Sequence, residues 1–156
     1  MTSITPAAST GSIERKIHIK APRSRVWRSL SDAEQFGNWF GAALGGKTFA
    51  SGQRVEVPMT IKGCEHIMFD VIPERIEPES LMSYRWHPYT SGDDYSKEER
   101  TLVTFTLKEV DDGTLLTVVE SGFDKIPPAR RMRAFSGNSN GWEFQLKNID
   151  QYASAD

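Results

Sequence analysis

The chain carries a single cysteine, Cys64, among 156 residues. One thiol excludes an intramolecular disulfide framework and any metal site built on paired cysteines. Histidine is scarce too: His18, His66 and His87 are the whole set, and none stands at a ligand spacing such as HxH or HExxH. No metal is therefore expected. No cofactor signature is present either, because the glycine-rich stretch 41–46 lacks the GK[ST] ending of a phosphate loop and precedes a strand instead of a helix. Hydrophobic runs are short, and none approaches the ~18 residues of a membrane span. Residues 1–12 lack the basic and apolar parts of a secretory leader. Rich in Ser, Thr and Ala, they read as a disordered tail, and a cytoplasmic location is expected. An excess of one charge is also missing. Nineteen Lys and Arg against 21 Asp and Glu leave a net charge of −2, with no basic run to suit nucleic acid or an anionic membrane surface.

Aromatic residues, prolines and alternating apolar positions are what the chain has instead. Ile13, Ile17 and Ile19 alternate with charged neighbours as a half-buried strand, with Arg15 breaking the parity. Ala21-Pro22 ends it and opens a helix with Val26, Trp27 and Leu30 on its apolar face. Ser31-Asp32-Ala33-Glu34 has the spacing of a capping box and starts a second short helix carrying Phe36, Trp39 and Phe40. Strands and turns follow. A short strand is predicted at 47–50, then one in which Val55, Val57, Met59 and Ile61 alternate with polar residues, Pro58 marking an edge or a bulge. A long strand spans 65–77 with an interruption at Pro73, and Met82, Tyr84 and Trp86 mark the next. Residues 88–97 form the longest irregular connection, expected to be mobile and to border a cavity entrance. Val103, Phe105 and Leu107 define another strand, and Asp111-Asp112-Gly113 turns it into the strand of Leu116, Val118 and Glu120.

The closing stretch, 127–153, is the element the rest needs. Prolines at 127 and 128 are tolerated only in a first helical turn, and none follows. Met132, Phe135, Trp142, Leu146, Ile149 and Ala153 recur along one helical stripe, while Arg130, Arg133, Glu143, Gln145, Lys147 and Asp150 mostly fill the other positions. Two glycines, Gly137 and Gly141, each cost about 1 kcal/mol relative to alanine, so the helix is held by packing and could kink there. The order of strand, two helices, about six strands and long helix is an α+β arrangement: one domain, 13–153, with a curved antiparallel sheet of six to seven strands around the helix.

Parity places Val57, Met59, Tyr84, Trp86, Phe105 and Val118 on the helix-facing side, with Trp142 and Leu146 pointing back from the helix. Space left between them would be an apolar ligand site with a few polar groups at its mouth. Glu120 shares the inward parity. A carboxylate there needs a cation or hydrogen bonds, and the expected partner is a basic residue near the strand end or a helix cap; failing that, it is a ligand anchor or an acid/base group. Arg85 has the opposite parity and should be exposed, and the three histidines read as solvent-facing.

Taken in order, Ala21-Pro22 with Val26-Trp27 and Leu30, Trp39-Phe40, Tyr84-Arg85-Trp86, Gly113-Thr114 leading into Leu116-Thr117-Val118-Val119-Glu120-Ser121-Gly122-Phe123, and Asn140-Gly141-Trp142 with Leu146 and Tyr152 resemble the START-like superfamily. This is the polyketide cyclase/dehydrase and lipid-transport group, or SRPBCC, with its helix-grip fold. Within it the chain is similar to the branch named after the activator of the heat-shock protein 90 ATPase. The resemblance implies a fold better than it implies an activity, since its members include carriers, cyclases, hormone receptors and cochaperone domains. The first expectation is a protein that binds a small apolar or aromatic molecule, with Val57, Met59, Tyr84, Trp86, Phe105, Val118, Glu120, Trp142 and Leu146 as ligand-binding residues. It has no catalytic set, no cofactor and no metal. The alternatives are a cyclase- or hydrolase-type enzyme using Glu120, Tyr84 or His87, and a chaperone partner. The eukaryotic cochaperone carries this fold as the C-terminal of two domains, and 156 residues are not expected to hold the other.

Overall fold

The computed structural model describes residues 11–88 and 98–155. Strand β1 (Ser12–Ile19) leads into helices α1 (Arg23–Ser31) and α2 (Ala33–Phe40). Strands β2 (Val55–Pro58), β3 (Met68–Glu77), β4 (Leu81–Trp86), β5 (Thr101–Val110) and β6 (Gly113–Ser121) follow, and a 3-10 turn at Phe123–Lys125 precedes helix α3 (Pro128–Ser154). The six strands form one antiparallel sheet in the order β1-β6-β5-β4-β3-β2. This is the α+β helix-grip arrangement the element order predicts. The expected tail lies, as far as residue 10, outside the described residues, as does the expected mobile loop over 89–97. Order is present by Gly11, whose carbonyl accepts from the Gly122 and Phe123 amides.

Pro58 does end an edge strand, since β2 closes the sheet on one side. Its carbonyl faces the outer edge, accepting from the Ala43 N–H, so no ladder bond to β3 needs its missing N–H; β2 nevertheless ends there, and the expected strand through Ile61 is cut short. Met59 keeps only an isolated bridge to Ala42, and the chain makes an excursion over 59–67, tied by Met59 N–H to the Ile67 carbonyl, before β3 begins three residues later than predicted. The register of β3 shifts between Pro73 and Arg75, at the expected interruption. The strand predicted at 47–50 is absent. Turns on both sides leave too few residues to pair, and only Phe49 turns inward, against Phe36 with ring centroids 5.5 Å apart.

Helix α2 starts at Asp32 without the expected capping box, because the Ser31 hydroxyl donates back to the Trp27 carbonyl. The helix ends at Gly41, whose φ of +95° favours glycine. A Cβ at Gly41 would also sit 2.7 Å from the Ile61 side chain, so the bare α-carbon lets the excursion close against the helix.

Helix α3 runs unbroken through Gly137 and Gly141. Trp142, Leu146, Ile149 and Ala153 are buried as the stripe predicts, but Met132 is exposed. Arg130 and Gln145, assigned by their polarity to the solvent face, are buried. Specific partners make this possible: Arg130 pairs with Glu98 at 2.7 Å, and the Gln145 amide donates to the Phe40 carbonyl at 2.9 Å, satisfying the C-terminal end of α2. At the far end of α3, Arg25 donates to the Tyr152 carbonyl and lies 5.0 Å from that tyrosine's ring centroid. A cation there complements the helix dipole. No helix among the described residues is long and apolar enough to cross a membrane.

Candidate functional site

Between α3 and the β2–β4 side of the sheet lies a cleft of about 280 Å³. Its walls follow from the alternation of the strands. Val71 pairs with Trp86 and Val57 with Phe69, so Phe69 and Trp86 project toward the helix from neighbouring strands. Met59 and Ile67 close the sheet side from the two ends of the 59–67 excursion. From the helix come Asn138, Gly141, Trp142 and Gln145, spaced three, four and seven apart on one face. Gly141 contributes its lack of a side chain: an added Cβ would meet nothing within 4 Å. Phe40 forms part of the base, and Ile61, Met68 and Phe144 form an apolar rim that is 38%, 38% and 58% exposed.

The Trp86 and Trp142 rings stack across the cleft, centroids 5.7 Å apart at 30°. Both indoles then turn their N–H groups away from it, toward Glu120. This carboxylate is fully buried and receives four hydrogen bonds. Asn138 Nδ2 and Trp142 Nε1 donate to Oε1 at 2.8 Å each, and Trp86 Nε1 and the Thr101 hydroxyl donate to Oε2 at 2.8 and 2.6 Å. The donors are all neutral. The expected basic partner is not what compensates Glu120; amide, hydroxyl and indole groups do so instead, filling acceptor sites at both side-chain oxygens. One residue of β6 thereby joins β4, β5 and α3.

Beneath the tryptophans, Tyr84 is fully buried, and its hydroxyl has no hydrogen-bond partner among the described residues. Burial first, and then the charge of Glu120, hold the Tyr84 phenol well above its usual range.

A charged cluster borders the other side. Asp70 accepts from Arg54 Nε and Nη2 at 2.8 and 2.7 Å, and from Arg100 Nη2 at 3.3 and 3.4 Å. Burial alone would push its carboxyl up, but the Arg54 hydrogen bonds and the charges of both arginines outweigh that and hold it below the ordinary value. His87, read from the sequence as solvent-facing, is half-buried and lines the cleft beside Asp70. Burial and then the Arg100 charge hold its imidazole below the ordinary value, with Arg130 adding to this and Asp70 and Glu98 opposing it. Arg85 is exposed as expected and pairs with Glu74.

Of the nine residues expected to contact a ligand, Met59, Trp86 and Trp142 line the cleft. Val57, Tyr84, Phe105, Val118 and Leu146 belong to the packed core, and Glu120 stands behind the two indoles. Sequence reasoning did not select Phe40, Ile61, Phe144, Asn138, Gly141 or Gln145. The last three share a helical face with Trp142, a spacing that could have found them. Among the described residues, no group of three His, Cys, Asp or Glu could hold a metal ion.

The profile of the family described as Activator of Hsp90 ATPase homolog 1-like protein matches residues 20–154. The chain belongs to this family. Its fold is shared with solved structures. Protein MLL2253 from Mesorhizobium loti is 25% identical with a TM-score of 0.70, over 90% of this chain and 95% of that one. A protein from Arthrobacter aurescens, solved by NMR, is 18% identical with a TM-score of 0.73, over 97% and 91%. DynU16, described as a putative protein in the dynemicin biosynthetic locus, is 20% identical with a TM-score of 0.68; the match covers 91% of this chain but only 46% of that one. No curated protein matches. The family places the chain in the START-like superfamily and says less about its chemistry.

Proposed function

We propose that this member of the family binds a small apolar or aromatic molecule in the cleft between sheet and α3 and releases it unchanged. The observation that carries the reading is the open apolar cleft itself, walled by the Trp86–Trp142 stack and rimmed by exposed Ile61, Met68 and Phe144. Concave, largely apolar sites with a few convergent polar groups are how small molecules are generally held. Each ligand CH₂ that leaves water contributes about 0.8 kcal/mol. A molecule with ten such groups would thus reach roughly micromolar affinity.

Binding without chemistry is supported by the state of the polar groups. Glu120, the carboxylate the sequence offers as an acid/base group, already accepts four hydrogen bonds behind the two indoles. Asp70 is held by two arginines. An origin of one structural neighbour in a biosynthetic locus fits a small-molecule setting.

The test is a titration with N-phenyl-1-naphthylamine, a neutral probe that fluoresces in apolar surroundings. Saturable binding that quenches tryptophan emission and weakens in Trp142→Phe, with the probe recovered intact by mass spectrometry, is the expected result. No saturable binding, or a converted probe, would contradict the reading.

A further inference from the structure

Beside the cleft lies a second groove of about 470 Å³, and the two share Phe40, Ile61 and Phe144 as lining residues. The groove differs in chemistry. Its polar lining consists of Asn38 on α2 and Asn148, Gln151 and Tyr152 on α3, with Trp39 and Phe144 as its aromatic surfaces. No lining residue carries a formal charge, although a quarter of the chain is charged and α3 itself bears Glu143, Lys147 and Asp150 on a different strip.

These polar groups retain capacity. Asn148 lines the groove and donates its NH₂ to Gln145 Oε1 at 3.0 Å, a bond that leaves its own side-chain oxygen available to accept. Asn38 donates weakly to the Tyr152 hydroxyl at 3.4 Å, which leaves that O–H free to donate. Gln151 is exposed and forms no side-chain hydrogen bond among the described residues. Amide and hydroxyl groups that both donate and accept, set beside an exposed aromatic ring, suit neutral hydroxyl-bearing ligands and offer an anion or cation no counter-charge.

Resting on the reading of the cleft as a ligand site, we infer that the natural ligand is amphipathic. An apolar ring system occupies the cleft, and a neutral, hydroxyl-rich substituent of the kind a sugar provides lies over Phe144 in the amide-lined groove.

Calorimetric titration of 2-naphthol and 2-naphthyl β-D-glucopyranoside separates the two readings. The glucoside is expected to bind roughly ten-fold more tightly than 2-naphthol, the increment of one or two net hydrogen bonds. Gln151→Ala and Asn148→Ala should each remove part of that advantage and the double variant most of it, with Gln151→Ala leaving 2-naphthol affinity unchanged, which guards against a merely damaged fold. If 2-naphthol binds but the glucoside binds no better, or the advantage survives both substitutions, the groove inference is overturned and the cleft reading stands. If neither compound binds, both readings fall.

Discussion

Glu120 shows how far a single position can be read from sequence. Alternation along β6 gave its inward direction, because side-chain direction in a strand repeats every two residues. Its partners lie on β4, β5 and α3, at separations of 19 to 34 residues on the strands and 18 and 22 on the helix, and no local pattern encodes them. Replacing the carboxylate should therefore be costly. In Glu120→Gln an amide NH₂ would face donors, and each orphaned donor costs about 1–3 kcal/mol. Urea unfolding should show a loss of that size or larger, with altered emission from Trp86 and Trp142; an unchanged midpoint would remove Glu120 from the account. Tyr84 makes the opposite case. Its buried hydroxyl has no partner, so Tyr84→Phe should be neutral or stabilising by up to about 1 kcal/mol. A clear destabilisation would mean that the hydroxyl is satisfied.

At the scale of elements, α3 was legible because proline at its start and the stripe of Trp142, Leu146, Ile149 and Ala153 are local signals. The burial of Arg130 and Gln145 was not, because it depends on Glu98 and on the end of α2, brought there by the fold. The excursion over 59–67 escaped for a similar reason. Met59 and Ile61 keep the alternation of a strand, yet the chain leaves β3 after Met59, which bridges Ala42 instead, and Gly41 lets Ile61 settle against α2. The glycines of α3 invite a direct check. Gly141 has ordinary helical geometry and open space at its Cβ position, so Gly141→Ala should stabilise the protein by about 1 kcal/mol through helix propensity alone. A loss of stability would show that the position is more crowded than the geometry indicates.

For the whole molecule, the charged cluster beside the cleft sets how stability follows pH. His87 binds its proton less readily when folded than when unfolded, so its contribution is complete above its ordinary value of 6.5 and declines as pH falls through that value toward the lower folded one. Asp70 is held below 3.8, so its contribution is present above that value and is lost as pH falls further, through the folded value. Unfolding free energy should thus fall between about pH 8 and pH 5, and His87→Gln should flatten that segment. An unchanged slope in the variant would assign the decline to other groups. The cleft emerges only at this scale, where strands, the 59–67 excursion and α3 meet and the bare α-carbon of Gly141 leaves space on the helix side. Sequence parity found its tryptophan walls and could not tell which inward residues reach the gap.

Blocking the cleft from within tests the central claim most directly. Gly141→Leu keeps a good helix former on α3 and directs a bulky side chain into the cleft. The account predicts a protein that unfolds as cooperatively as the parent but loses saturable N-phenyl-1-naphthylamine binding by at least about ten-fold, roughly 1.4 kcal/mol. A folded Gly141→Leu protein that still binds the probe with parental affinity would contradict it.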